Sequence, residues 1–396
     1  MNHSPGVAIR SAALLFPVLL WAASGPAAAL DYQLHGFAAQ GYSFSGGNNY
    51  FGGSTQGSSD FYELGVNGTL SMTPNLLLSA QGLLRRAGST DEEGLRLDYA
   101  QADYRFLSSP DHDLGLRLGR VKNPLGFYND TRDVVFTRPG ITLPSSIYLE
   151  NAGLRSILFS RDGAQLYGGL QLGDHDLSLE ANAALDSKLD EQEKRQVAGG
   201  IELPVDIDVK RFHVARLQDD WNGGVLKFAL SYLHGRLEVT PQNNAPVEGY
   251  LTENIWVASA RYNARDFALT AEYELAQTRT ATNLAPPQNL SGDSFYLQGE
   301  YHFLPQWTAL LRYDAGFFDR HDRDGDAYAA RTGGDRYSQF THDEVLGVNW
   351  QPGEHWGVWA EYHLIQGSSE VPQGDNVGRV PADHSSLFQV MTAFRF

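Results

Sequence analysis

Seven basic residues, Arg117, Arg120, Lys122, Arg132, Arg138, Arg155 and Arg161, stand within 117–161 against only Asp130, Asp133 and Glu150. A chain of formal charge −17 is therefore locally +4 there. Guanidinium and ammonium groups gathered in this way attract and orient polar or anionic solutes, and carboxylates facing them would set up a transverse field. Arg117, Lys122, Arg132, Arg138 and Arg155 are the candidates for a basic wall, with Asp133 and Glu150 as counter-charges. Such a wall would favour anions. Most of these residues lie in KNPLGFYNDTRDVVFTRPGITLPSSIYLENAGLRSILFSR, residues 122–161, the longest interruption of a chain that otherwise alternates apolar and polar residues. A solvated external loop is the plainer alternative.

Other constellations carry less chemistry. HDRDGD places Asp322, Asp324 and Asp326 two apart around Gly325, as calcium loops do, but the distal Glu of such a loop is missing, so a solvated acidic tip is the simpler reading. The histidines are scattered, without H-E-x-x-H, and there is no Cys to join them in a metal site. No G-x-S-x-G marks a nucleophile. No catalytic, cofactor or metal residue is thus singled out and no cofactor is expected. A barrel enzyme acting on lipid or peptide, lipase-like or protease-like, is the alternative from another class. The acidic balance argues against a nucleic-acid partner, whose binders present basic faces.

The elements that must position these charges read as strands. A helical membrane protein needs about 20 consecutive apolar residues, and none occurs. At the start, Arg10 precedes an apolar core too short to span a bilayer, and Ala27, Ala28 and Ala29 offer a small-residue cleavage site. Residues 1–29 are therefore expected to be a cleaved export signal, leaving 30–396 as one domain. From there Tyr62, Leu64, Val66, Leu70 and Met72 alternate with Glu63, Asn67, Thr69 and Ser71, the period of two of a strand between unlike surroundings. Leu114, Leu116 and Leu118 repeat it, as do Trp256 to Tyr262, Phe267 to Leu275, and Phe295 to Phe303. Aromatics flank several short turns, as interfacial girdles require. Between 187 and 223 periodicity weakens, and only 205–217 could hold a strand, of unclear phase.

Short connections are expected near 74, 110, 174, 220, 265, 305 and 353. Long ones are expected at 46–59, 87–94, 122–161, 187–203, 240–252, 278–292, 319–341 and 367–384. Their alternation predicts a closed antiparallel transmembrane β-barrel of about 16 strands, wide enough for an aqueous channel. Closure also removes the edges that lipid cannot tolerate. The third long loop is predicted to fold into the lumen. The polar face would carry Glu63, Arg85, Glu180, Arg261, Glu272, Glu300, Arg312, Asp314 and Glu361.

The final segment, SSLFQVMTAFRF, alternates Phe388, Val390, Thr392, Phe394 and Phe396. In layout the chain resembles a Gram-negative outer-membrane porin, and Phe394 with Phe396 resembles the signal read by the barrel assembly machinery. GRVKNPLGFY, 119–128, resembles the G-x-x-K-x-P-x-G run of the phosphate-selective porins, though the basic ladders of that family are not evident on the other strands. The resemblance implies an outer-membrane location among lipid and lipopolysaccharide, and passive diffusion of small hydrophilic solutes or ions. It also implies a homotrimer. A substrate-specific, anion- or phosphate-like channel is the variant reading.

Overall fold

Every second side chain along most strands is greasy and faces out, and the chain resolves the conflict between its two faces by closing on itself. In the computed structural model, residues 31–150, 154–198, 200–242 and 247–396 are described. The export signal expected at residues 1–29 lies outside the described residues. In chain order the strands are β1 (Asp31–Gly46), β2 (Ser58–Thr73), β3 (Leu76–Ala87), β4 (Asp91–Ser108), β5 (His112–Lys122) and β6 (Ser160–Leu172). Then come β7 (His175–Ala184), the two-residue β8 (Ser187–Lys188), β9 (Val205–Trp221), β10 (Leu226–Pro241), β11 (Gly249–Asn263) and β12 (Phe267–Thr282). The last are β13 (Ala285–Leu304), β14 (Trp307–Phe317), β15 (Phe340–Trp350), β16 (Trp356–Gly367) and β17 (His384–Arg395).

Each long strand pairs antiparallel with its neighbours, and β1 pairs with β17 from Phe37 opposite Arg395 to Gly46 opposite Ser386, which closes the sheet. Backbone bonds between Gly36 and Phe396 extend that seam. Because β8 only prolongs the β7 edge against β9, the wall consists of 16 full strands, as the loop parity predicts. Leu64, Val66, Leu118, Leu166, Leu230, Leu269, Leu311 and Leu346 are exposed on the outer surface. At the short-turn rim, Tyr262 packs on Phe267, Trp307 stacks with Trp350, and Trp356 and Phe396 both meet Phe394. An apolar band bordered by amphipathic rings is the surface that a bilayer requires.

Three departures from the expected layout have physical causes. The segment 278–292 is not a long loop: β12 and β13 keep pairing up to Thr282 opposite Ala285, with a two-residue connection. Both faces of that extension meet water, so nothing enforces alternation there. In the same way β4 begins at Asp91, inside the expected 87–94 loop. The strand expected at 205–217 runs to Trp221, and its phase was obscured by a bulge. Lys210 pairs with Arg236 and His213 with His234, so Arg211 and Phe212 share one opposing position and Arg211 takes φ 51°. The inward set changes there from Val205, Ile207 and Val209 to Phe212, Val214 and Arg216. A bulge shifts every later side chain by one face.

Leu297 on β13 is 58% exposed on the outer face, while His302 on the same strand faces the lumen beside Thr308. Replacing Leu297 by Arg near the middle of the apolar band is expected to lower folding stability by about 2–4 kcal/mol. His302→Arg is expected to change it by less than about 0.5 kcal/mol. Urea unfolding in lipid vesicles measures both, and equal losses would show the facing to be reversed.

Candidate functional site

The long segment between β5 and β6 turns into the barrel and crosses it. Nearly all of 138–149 is buried, with Ile141, Leu143, Ile147 and Tyr148 almost fully so. Short helices at Ser145–Tyr148 and Arg155–Phe159 are the regular structure of its second half. Left-handed backbone is used at Gly126, φ 57°, where a Cβ would meet the Tyr148 hydroxyl at 2.5 Å and the Glu272 carboxylate at 2.8 Å. A side chain at this position would clash with both groups.

One side of the excursion is pinned to β2, β3 and β4 by ion pairs. Glu63 accepts from Arg85 Nε at 2.9 Å and from Arg138 Nη2 at 2.5 Å. Arg85 also donates to Asp91 at 2.7 Å and reaches Glu150 at 3.4 Å, while Arg132 donates to Glu150 at 2.5 Å. Arg155 grips Asp98 through both terminal nitrogens, at 3.1 and 3.2 Å. Lys122 and Gln81 both donate to Asp133, at 3.1 and 2.8 Å. Arg96 completes the set on Asp91 at 2.6 Å. Asp98 points inward because it occupies a bulge: Tyr99 pairs with Gln81 and Leu97 with Gly82, leaving Asp98 unpaired between them.

A second set of contacts ties the excursion to β9–β13. Gly126 N–H donates to Ser231 and Phe127 N–H to Glu272, at 3.0 and 2.9 Å. Tyr148 and Tyr296 hydroxyls also donate to Glu272, at 2.5 and 2.8 Å. Arg216 donates to Asp130, Glu180 and the Gly126 carbonyl, and Arg261 reaches the Tyr128 hydroxyl at 2.7 Å. A third set lies on β14 and β16. Ile141 N–H donates to Glu361 at 2.9 Å, Ser146 Oγ bonds to Asp314, and Arg312 donates to the Thr142 carbonyl at 3.1 Å.

Lys122, Arg132, Asp133, Arg138, Glu150 and Arg155 are therefore brought together, but not as an open basic wall. The expected counter-charges Asp133 and Glu150 do meet Lys122 and Arg132, but the expected anion preference is not what this arrangement favours, because Arg132, Arg138 and Arg155 are buried and each bonded to a carboxylate. Isolated guanidinium groups could not be enclosed at this depth without partners. Arg117 belongs elsewhere, on β5, where it joins Asp103 and Glu180 and lies 4.2 Å from the centre of the Tyr167 ring. Glu63, Arg85, Glu180, Arg261, Glu272, Glu300, Arg312, Asp314 and Glu361 all face inward, with Arg261 bonded to Glu300 at 3.1 Å.

Charge is unevenly matched around the bore. On the β2–β5 side Arg85, Arg96, Arg117 and Lys122 are each paired with a carboxylate. Towards β14–β16, Asp343 and Glu361 flank His363, which donates to Asp343 at 2.8 Å and lies 3.5 Å from Glu361, and Asp314 stands opposite Asp343 in the sheet. Among the described residues Arg312 forms no ion pair there. Below the excursion, at the short-turn end, Tyr128, Arg138, Arg261, Glu300, His302 and Asn349 line a polar vestibule of about 330 Å³. Asp91, Arg96, Asp98, Arg216, Asp343 and His363 were missed by sequence reasoning. The break in alternation at Asp98 and Tyr99 was the available signal for one of them.

Asp322, Asp324 and Asp326 do not converge on one point. Asp322 accepts the N–H groups of Ala327 and Tyr328 at the start of the helix Asp326–Thr332, and Asp326 pairs with Arg336. Among the described residues no group of three ligating side chains is arranged to hold a metal.

Burial alone would raise the Glu150 carboxyl, but Arg132, Arg85 and Arg138 outweigh it and hold it at about 2. An acid depressed below its ordinary value of about 4.3 contributes its stabilisation fully above that value and loses it as pH falls towards the folded value. The Glu150 pin is expected to hold the excursion from about pH 8 to about pH 5 and to weaken progressively below about pH 4, as pH falls towards its folded value of about 2, with unsteady conductance as the sign. Planar-bilayer recordings over that range check it.

No family model and no curated protein matches the chain. Its fold does match solved barrels. The outer membrane channel DcaP of Acinetobacter baumannii superposes with TM-score 0.58 at 12% identity, over 93% of this chain and 97% of that one. The anion-selective porin from Comamonas acidovorans gives 0.55 at 15%, over 93% and 100%. OmpT, an outer membrane protein of Vibrio cholerae folded in vitro and described in a trimer form, gives 0.55 at 11%, over 93% and 99%. Likeness at these identities carries the architecture, and the phosphate-selective resemblance of 119–128 gains no support from a family match.

Proposed function

We propose that the chain is an outer-membrane channel for passive diffusion of small hydrophilic solutes and ions, narrowed by the 122–161 excursion. The observation that carries this reading is the pairing of an apolar outer band with a lumen lined by charged and hydrogen-bonding groups in a closed 16-strand wall. A soluble sandwich would bury those leucines, whereas here they lie outside. Solutes would pass beside the excursion along β11–β15, where the vestibule opens. The named functions of DcaP and the Comamonas porin accord with this, and the trimer form of OmpT supports a homotrimer here. Lipid and lipopolysaccharide would cover the outer band, and Phe394 and Phe396 would serve assembly.

With Arg85, Arg96 and Arg117 matched and the carboxylates of β14–β16 in excess, the preference would be for cations rather than anions. Liposome swelling tests the channel: purified protein should admit small sugars and exclude larger ones. Lipase or protease activity without solute permeability would replace this reading with the enzymatic one.

A further inference from the structure

The lumen is not polar all round. On β9–β11 the inward side chains Val209, Phe212, Leu233 and Leu237 face Leu149 and Ile157 of the excursion, and the two surfaces do not meet fully. They leave a cavity of about 230 Å³. That exceeds the roughly 150 Å³ of an engineered apolar cavity that stays dry and takes up benzene. Its deeper residues, Ile157, Phe212 and Leu233, are buried, while Leu237 and Leu251 at the mouth are half-buried.

One acidic side chain lines this cavity. Glu253 of β11 takes a hydrogen bond from Thr278 at 3.2 Å and, among the described residues, has no cationic partner. Two inward rows deeper, opposite Val257, Glu274 of β12 faces the same side, 7% exposed and likewise without a described ion pair. Glu272, by comparison, accepts from four donors. A greasy cavity lined by one carboxylate without a described ion pair, with Glu274 further in on the same side, matches a ligand with an apolar body and a positive end. An anionic amphiphile would meet like charge, and a neutral one would leave the acids unmatched.

We propose that the barrel holds, between the excursion and β9–β11, a binding site for a small hydrophobic amine, its apolar body in the cavity and its ammonium on Glu253. This goes beyond diffusion of hydrophilic solutes and does not depend on it.

The absence of cysteine makes a clean test possible. Leu251→Cys places a single thiol at the mouth, and Thr308→Cys places a control thiol in the vestibule. With the protein in nanodiscs, saturating octylammonium is expected to slow N-ethylmaleimide reaction at Cys in place of Leu251 by at least about tenfold and to leave the vestibule thiol unaffected. Half-protection is expected at roughly tenfold lower concentration than with 1-octanol, and octanoate should be the weakest. Glu253→Gln should bring the amine and the alcohol together, while the heat-resistant barrel band on SDS gels shows that folding is intact. No protection by any of the three, equal protection by octanoate, or an amine preference surviving in Glu253→Gln would each overturn the proposal.

Discussion

Replacing Glu63 and Glu150 together by Gln is expected to free the excursion and raise single-channel conductance at least roughly twofold, with the barrel intact. The two carboxylates hold Arg85, Arg132 and Arg138, all three buried. Removing one partner of a buried pair leaves an uncompensated charge and costs about 3–5 kcal/mol, much more than the pair's net contribution. Undocking relieves that cost by returning the guanidinium groups to water, so the strain falls on the excursion and not on the hydrogen-bonded wall. Trypsin added to the long-loop side should then cut after Arg132, which the native packing hides. Unchanged conductance together with resistance to trypsin would mean that the contacts to Glu272, Glu361 and Asp314 suffice to hold the segment.

The second large effect concerns selectivity. Neutralising Asp343 and Glu361 by Asn and Gln is expected to lower the potassium-to-chloride permeability ratio at least roughly threefold in dilute salt. It should shrink as ionic strength rises and the Debye length falls to about 3 Å at 1 M. Among the described residues these carboxylates are met by His363 and the Ile141 N–H and by no arginine or lysine, so their field extends into the bore. Arg132→Ala or Arg138→Ala, by contrast, is expected to act on docking before selectivity, because each cation removed was already neutralised. A reversal potential that moved with the arginines and ignored the carboxylates would reverse this assignment of walls.

Much of the architecture was legible because lipid imposes a strict rule on every second residue. Leu64 and Val66 against Glu63, or Leu297 against Gln298, can be read directly. The rule lapses where both faces meet the same surroundings. It lapses in the hairpin extension around Thr282 and Ala285, and on β9, where Val205, Ile207 and Val209 face inward onto an apolar patch. The bulges at Arg211 and Asp98 flip the phase within a single strand, which a fixed period cannot show. The excursion was recognisable as a break in pattern and as a concentration of positive charge. Its partners were not, because Asp91, Asp98 and Glu63 meet it only when the excursion folds back into the lumen against β2–β4, with no spacing in the chain to announce them. Charge counted along the sequence thus pointed to an anion-favouring wall, whereas charge counted in space shows those cations matched.

Single-channel recording of the refolded native protein in a planar bilayer, under a potassium chloride gradient, addresses the solvent-filled lumen most directly. Discrete conductance steps and a reversal potential of the sign set by faster potassium passage are the expected result. A silent bilayer containing barrels that are folded by their heat-resistant mobility, with silence persisting in the Glu63 and Glu150 double variant, would contradict it.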